Sequence, residues 1–142
     1  MLKPVAFWDA SVLVPLCVYQ TPTPQAILFE SKYRIAVWWA THVEIASALA
    51  QLLRQQKITA VEYAYAKQQA EDLANIWRTV APSARIAFEA RVLLEKYPLR
   101  AADALQLAAA LEWSEGRPKG NLFLSFDQRL REAAGLVGFT LE

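Results

Sequence analysis

The sequence predicts an α/β fold in which a parallel sheet is covered on both faces by helices. Three observations lead there. Short apolar runs rich in strand-forming residues recur at Val5–Trp8, Ile35–Trp39 and Asn121–Ser125. Segments with helical periodicity separate them, and such alternation is the mark of parallel strands joined by crossovers. The third observation is the stretch Leu99–Leu111, Leu-Arg-Ala-Ala-Asp-Ala-Leu-Gln-Leu-Ala-Ala-Ala-Leu. Ala104, Leu107, Ala108 and Leu111 fall on one helical face, and Ala102, Leu105 and Ala109 make the opposite face apolar too. A helix apolar all round is normally a buried one. Yet Asp103 sits in its first turn.

Taken in order, Val5–Trp8 is a buried strand that ends at Asp9. Ala10–Tyr19 turns into a helix with Pro15 an awkward guest inside it. Thr21-Pro22-Thr23-Pro24 breaks the chain, and Gln25–Tyr33 is a second short helix. Ile35–Trp39 is again a continuous apolar run of β-formers. Thr41 stands three residues before Glu44, a capping-box spacing, and the helix it opens runs to about Gln56 with Ile45, Leu49, Leu52 and Leu53 inward. Thr59 and Glu62 repeat the pattern. That second helix places Ala66, Ala70, Leu73 and Trp77 on one face and a Lys67–Glu71 pair on the other. Arg78–Val80 reads as a short strand, and Ser83–Lys96 as a helix stopped by Tyr97-Pro98. After Leu111 comes a basic loop, Glu115–Gly120, and then the strand Asn121–Ser125. Gln128–Ala134 is helical, Gly135 ends it, and Gly138–Leu141 is a last strand.

The 142 residues fit one domain spanning 1–142, with no linker and no internal repeat. Hydrophobic residues make up 55% and charged ones 20%, a balance that excludes a disordered chain. No apolar run approaches the ~18 residues of a membrane span, and the first residues lack the apolar stretch of a signal peptide. A single Cys17 and a single His42 exclude an internal disulfide and a Cys/His zinc set. A reducing cytoplasm is the expected setting. The net charge of +1 argues neither for nor against nucleic acid.

In open parallel sheets, ligands bind outside the carboxyl ends of the strands. Asp9 ends the first strand, Glu44 lies in the first helical turn after the second, and Asp127 follows Asn121–Ser125. All three belong to one edge of the sheet whatever the strand order, and Asp103 is placed to join them. Four carboxylates together repel: two unit charges ~4 Å apart do so by about 4 kcal/mol at an effective dielectric of ~20. Hard oxygen ligands answer this by binding Mg²⁺ or Mn²⁺. Such a site leaves room for a phosphate oxygen and an attacking water. Ser11, two residues after Asp9, and Ser125, two before Asp127, stand where they can hold the carboxylates or their waters. Simpler readings stay open for each acid. Asp9 and Asp127 are also good turn or cap residues, Glu44 is also a capping-box acid, and Asp103 also suits a helix N-terminus or an ion pair with Arg100. His42 beside Glu44 is more often structural. No nucleophilic triad and no glycine-rich phosphate loop is present, since the chain has only four glycines. Val37-Trp38-Trp39 reads as core or a subunit interface.

Four segments together resemble a known family. Phe-Trp-Asp-Ala-Ser-Val-Leu-Val at 7–14, Val-Glu-Ile-Ala-Ser-Ala-Leu at 43–49, Leu-Arg-Ala-Ala-Asp-Ala-Leu-Gln-Leu-Ala-Ala-Ala at 99–110 and Leu-Ser-Phe-Asp-Gln-Arg-Leu at 124–130 are similar to the PIN-domain nucleases, above all the VapC-type toxins of toxin–antitoxin pairs. The resemblance runs from Asp9 to the final Gly-Phe-Thr-Leu and implies a three-layer α/β/α fold with a parallel sheet of about five strands. It implies Mg²⁺ or Mn²⁺ held at Asp9, Glu44, Asp103 and Asp127, and endonucleolytic cleavage of RNA with water as nucleophile. Asp9 and Asp103 are then metal ligands, Asp127 a third directly or through water, and Glu44 a ligand or the group that orients the water. Ser125 matches a small hydroxyl residue common two positions before the last Asp. Arg100 holds phosphate or pairs with Asp103. The branch also implies a homodimer and a small cognate antitoxin. Two positions depart from the pattern: Gln106 where many relatives carry His, and Ala10 where Thr is common. The rival readings are a PIN-type RNA-processing or flap nuclease without antitoxin, and a phospho-receiver or non-catalytic module on a similar sheet. A receiver wants paired acids at the first strand's end, and Asp9 has no acidic neighbour.

Overall fold

A computed structural model describes residues 2–142. The elements are β1 (Val5–Trp8), α1 (Ala10–Cys17), α2 (Thr23–Lys32), β2 (Arg34–Trp38), α3 (Thr41–Arg54), α4 (Ala60–Ala74), β3 (Arg78–Val80), α5 (Ala84–Lys96), α6 (Ala101–Trp113), β4 (Phe123–Leu124) and α7 (Gln128–Val137). All strand pairings are parallel, in the order β3-β2-β1-β4. β1 is therefore central, which is why Ala6, Phe7 and Trp8 have no exposed surface.

Alternate strand residues feed two cores. Ala6, Trp8, Ile35, Val37 and Leu124 face helices α1–α4, while Phe7, Ala36, Trp38 and Phe123 face α5–α7. The period of two along each strand thus divides the molecule into helix, sheet and helix layers. Trp8 packs edge-on against Phe29, and its indole N–H donates to the carbonyl of Arg34 at 3.3 Å. The buried ring thereby keeps its one polar atom satisfied.

The sheet has four strands where about five were expected. The segment Gly138–Leu141 contributes only one bridge, Leu122 to Thr140. Its first residues are taken by the end of α7: the N–H groups of Gly138 and Phe139 both donate to the Ala134 carbonyl. Only Thr140 is left to bond Asn121 and Phe123. Helix α7 also runs through Gly135 and ends at Gly138, whose φ of 118° suits only glycine. Helix α1 accommodates Pro15 and stops two residues later, and the Pro15 carbonyl accepts from Thr23 Oγ1 at 2.8 Å.

The two capping-box spacings part company. Thr59 and Glu62 form the full box, with bonds of 2.9 and 3.1 Å. Thr41 does not: helix α3 begins from Ala40, and the Thr41 hydroxyl is buried without a partner. Lys67 lies over the Tyr63 ring, and Glu71 meets His42 at 3.2 Å, so the expected Lys67–Glu71 pair is replaced.

Candidate active site at the carboxyl edge of the sheet

Strand β1 delivers Asp9 to the carboxyl edge, where its N–H bonds the Leu124 carbonyl of β4. The residue is buried. Its Oδ1 accepts from the Ser11 N–H at 2.9 Å and the Ser11 hydroxyl at 2.5 Å, and its Oδ2 accepts from the Ser125 hydroxyl at 2.7 Å. Both hydroxyls are in turn acceptors: Phe126 N–H donates to Ser11 Oγ at 2.8 Å, and Asp127 N–H to Ser125 Oγ at 3.0 Å. Each serine gives its proton to Asp9, whose carboxylate only accepts, while its own oxygen receives an N–H. The loop that carries Asp127 is thereby tied to the carboxylate of Asp9. Asp9 also caps α1, and Asp127 caps α7 by accepting from Leu130 N–H at 3.2 Å. At these two positions the cap role is seen, and it does not take the residue away from the carboxyl edge.

Glu44 stands in the first turn of α3, free of any capping box, and Asp103 in the first turn of α6. Asp9, Glu44, Asp103 and Asp127 line one cavity of about 240 Å³ with Ala10, Ser11, Ala102, Gln106 and Leu130. No basic side chain is in its lining. Arg100 is the exposed residue preceding α6 and forms no ion pair with Asp103 among the described residues. Ser125 sits behind Asp9, outside the lining. His42 turns to Glu71 and lies edge-on to Trp77, so it is no partner of Glu44.

Electrostatics mark the cavity. Burial pushes the Asp9 carboxyl up to about 6 against the three hydrogen bonds that favour its charge, and Asp127 adds to the rise. Glu44 is pushed up to about 7 by surrounding protein and then by the charges of Asp9 and Asp103, although much of its side chain stays exposed. Cys17 is the opposite case: burial lifts its thiol to about 11, where it is no nucleophile.

The acids line the cavity without closing on a common point. Among the described residues, no three His, Cys, Asp or Glu side chains are gathered tightly enough to hold a metal ion in the positions seen. The Asp9 oxygens face the two serines, and one Asp127 oxygen faces its own helix. The donor set nevertheless fits a hard divalent cation. It is all oxygen, mutually repelling and without a counter-charge in the cavity wall.

Gln106 belongs to this cavity, which sequence reasoning did not foresee. It lies three residues after Asp103 on the same face of α6, and its Nε2 is buried with no hydrogen-bond partner. The signal was present: a lone amide in a run of alanine and leucine.

Comparison with known proteins agrees with this architecture. The PIN domain family model matches residues 6–136. Ribonuclease VapC45 and Ribonuclease VapC49, both from Mycobacterium tuberculosis, are each 31% identical over 136 residues, covering 95% of this chain and 92% of theirs. The crystal structure of PAE2754 from Pyrobaculum aerophilum superposes with a TM-score of 0.65 at 21% identity, covering 97% of this chain and 89% of that one. A toxin–antitoxin complex from Klebsiella pneumoniae gives 0.60 at 17% identity, over 87% and 88% of the two chains. The chain belongs to the PIN-domain family. Within that family, the curated relatives it matches are VapC ribonucleases.

Proposed function

We propose that this chain is a divalent-metal-dependent endoribonuclease and the toxin of a type II toxin–antitoxin pair. The observation that carries the chemistry is the cavity that Asp9, Glu44, Asp103 and Asp127 line from four separate elements with no cationic side chain among them. The toxin assignment is supported by the names of the VapC relatives and of the toxin–antitoxin complex with the same fold. Residues 1–142 act as one PIN domain in this reading.

Asp9, Asp103 and Asp127 would hold Mg²⁺ or Mn²⁺, with Glu44 as a further ligand or the group that orients the attacking water. The ion supplies charge neutralisation and a more acidic water. Ser11 and Ser125 hold Asp9 ionised and aimed, so that little reorganisation is needed during the reaction. The oxygen of the water would bond to phosphorus and give up one proton, the bond from phosphorus to one sugar oxygen would break, and that leaving oxygen would take up a proton from solvent, so that the net step adds one water across the broken bond. Arg100, the exposed residue preceding α6, would meet a neighbouring phosphate in this reading. The partners in this reading are RNA, a small antitoxin and a second copy of the chain, in the cytoplasm. No helix among the described residues is long and apolar enough to cross a membrane.

The test is cleavage of single-stranded RNA with Mn²⁺ or Mg²⁺, then with excess EDTA. Cleavage is expected only with the ion, and at least ~100-fold slower in Asp9→Asn, since a tenfold change needs only about 1.4 kcal/mol. Undiminished cleavage in EDTA overturns the metal mechanism. Expression in a bacterial host is expected to slow growth, with Asp9→Asn relieving it. A metal-dependent nuclease that is harmless on expression would instead support the RNA-processing reading.

A further inference from the structure

We propose that Gln106 is a positioning residue whose side-chain amide donates a hydrogen bond to a phosphate oxygen of the RNA bound over the four acids. The inference rests on the ribonuclease reading and deepens it. Gln106 lines the acid cavity, is 3% exposed, and has an Nε2 with no partner. A buried amide donor left unpaired destabilises the folded chain. Nothing around it in α6 demands a polar side chain, since Ala104, Leu107, Ala108, Ala109 and Ala110 are all buried and apolar. The cavity wall offers carboxylates as acceptors, yet the amide engages none of them.

Rotation of the amide toward the cavity would let an oxygen acceptor entering from outside supply the missing partner. The acids, once a divalent ion balances them, leave the cavity suited to an anionic oxygen. Gln106 adds what the carboxylates and the ion lack: a neutral, directional N–H. It takes no part in bond making. It fixes one non-bridging oxygen, so that the phosphorus faces the water oriented by Glu44.

Two variants test this. Gln106→Met keeps length and apolar volume without the donor, and Gln106→Glu keeps the shape but sets a carboxylate in place of the amide, against the phosphate oxygen. Affinity for a fluorescein-labelled single-stranded RNA is read by anisotropy with Ca²⁺ present. Melting is read with and without Mn²⁺. Gln106→Met is expected to melt at or above the wild-type temperature and to keep the wild-type Mn²⁺ shift, yet to bind RNA at least about fivefold more weakly. Gln106→Glu is expected to bind more weakly still. In cleavage assays the loss should appear in KM at least as strongly as in kcat. RNA affinity within twofold of wild type in Gln106→Met overturns the proposal, as does a Gln106→Met protein that has lost the Mn²⁺ shift. Wild type that binds RNA without cutting it would overturn the ribonuclease reading while the affinity difference still decides the role of Gln106. Wild type that binds neither RNA nor inorganic phosphate overturns both.

Discussion

Both oxygens of Asp9 are held by hydroxyl groups, and this sets the cost of substitutions around it. Ser125→Ala would leave the Asp9 Oδ2 and the Asp127 N–H without their partner at a buried position. A loss of about 1–3 kcal/mol is expected from urea denaturation. Ser11→Ala, at a half-buried residue, should cost less. Sequence alone placed Asp9, Asp127 and both serines at one edge, because strand ends and their flanking residues are legible from the apolar runs. It could not settle Glu44. Thr41-x-x-Glu44 and Thr59-x-x-Glu62 have the same spacing, and only the second forms a capping box. The difference lies in the chain before each helix. Thr59 is exposed and extended, whereas β2 runs almost directly into α3, so that Ala40 precedes the helix and Thr41 is buried. Glu44 is thereby left to the cavity. Gln106 was legible only as an oddity of composition, since burial without a partner is a property of packing.

Elements were most legible where a cap and an apolar face agreed. Helix α4 shows both, and Thr59→Ala should lower stability by ~1 kcal/mol. Less legible was the C-terminal region, where glycine served as the stop signal. Gly135 lies inside α7, while Gly138 ends it in a left-handed conformation. The two are expected to respond oppositely to alanine. Gly135→Ala should be neutral or stabilising by up to about 1 kcal/mol, its new methyl meeting only Leu141 Cδ1 at 3.4 Å. Gly138→Ala should destabilise by at least about 1 kcal/mol, because its φ is unfavourable and its Cβ would lie 3.2 Å from Pro118 Cγ. Equal melting temperatures for the two would contradict this account of the helix end. The same end explains the missing fifth strand, since a periodic apolar segment cannot show that its N–H groups are already spent.

At the scale of the molecule, the parallel sheet separates its two edges. The basic loop 115–120 leads into the amino end of β4, opposite the acids, and Arg117 there lies 3.9 Å from Glu115. It is poorly placed to guide RNA, contrary to what its charge alone suggests. Arg129 opens α7 beside Asp127 and is exposed. Arg129→Glu is therefore expected to weaken RNA binding and flatten its salt dependence, and Arg117→Glu to leave both nearly unchanged. The acid cavity also sets a pH dependence. In EDTA, Asp9 and Glu44 titrate at about 6 and about 7 in the folded chain, above their ordinary values of 3.8 and 4.5. The folded chain then binds more protons than the unfolded one in this range. Their contribution to stability is full below about pH 4 and is lost as pH rises through 6 and 7. For Asp9 the loss is on the order of 3 kcal/mol. Denaturation in EDTA at pH 5 and pH 8 should show the protein more stable at pH 5, and Asp9→Asn should remove only part of that difference, because Glu44, with the higher folded value, carries the larger share in this window. The central claim is that these four acids form one cation site, and the melting temperature of wild type and Asp103→Asn, each with and without Mn²⁺, tests it most directly. The account predicts that Asp103→Asn in EDTA melts at or above wild type, because one repelling charge is gone, and that it loses most of the rise Mn²⁺ gives wild type. A variant that is less stable in EDTA and still fully stabilised by Mn²⁺ would contradict it, and would leave Asp103 as a helix-end charge worth roughly 0.3–1 kcal/mol.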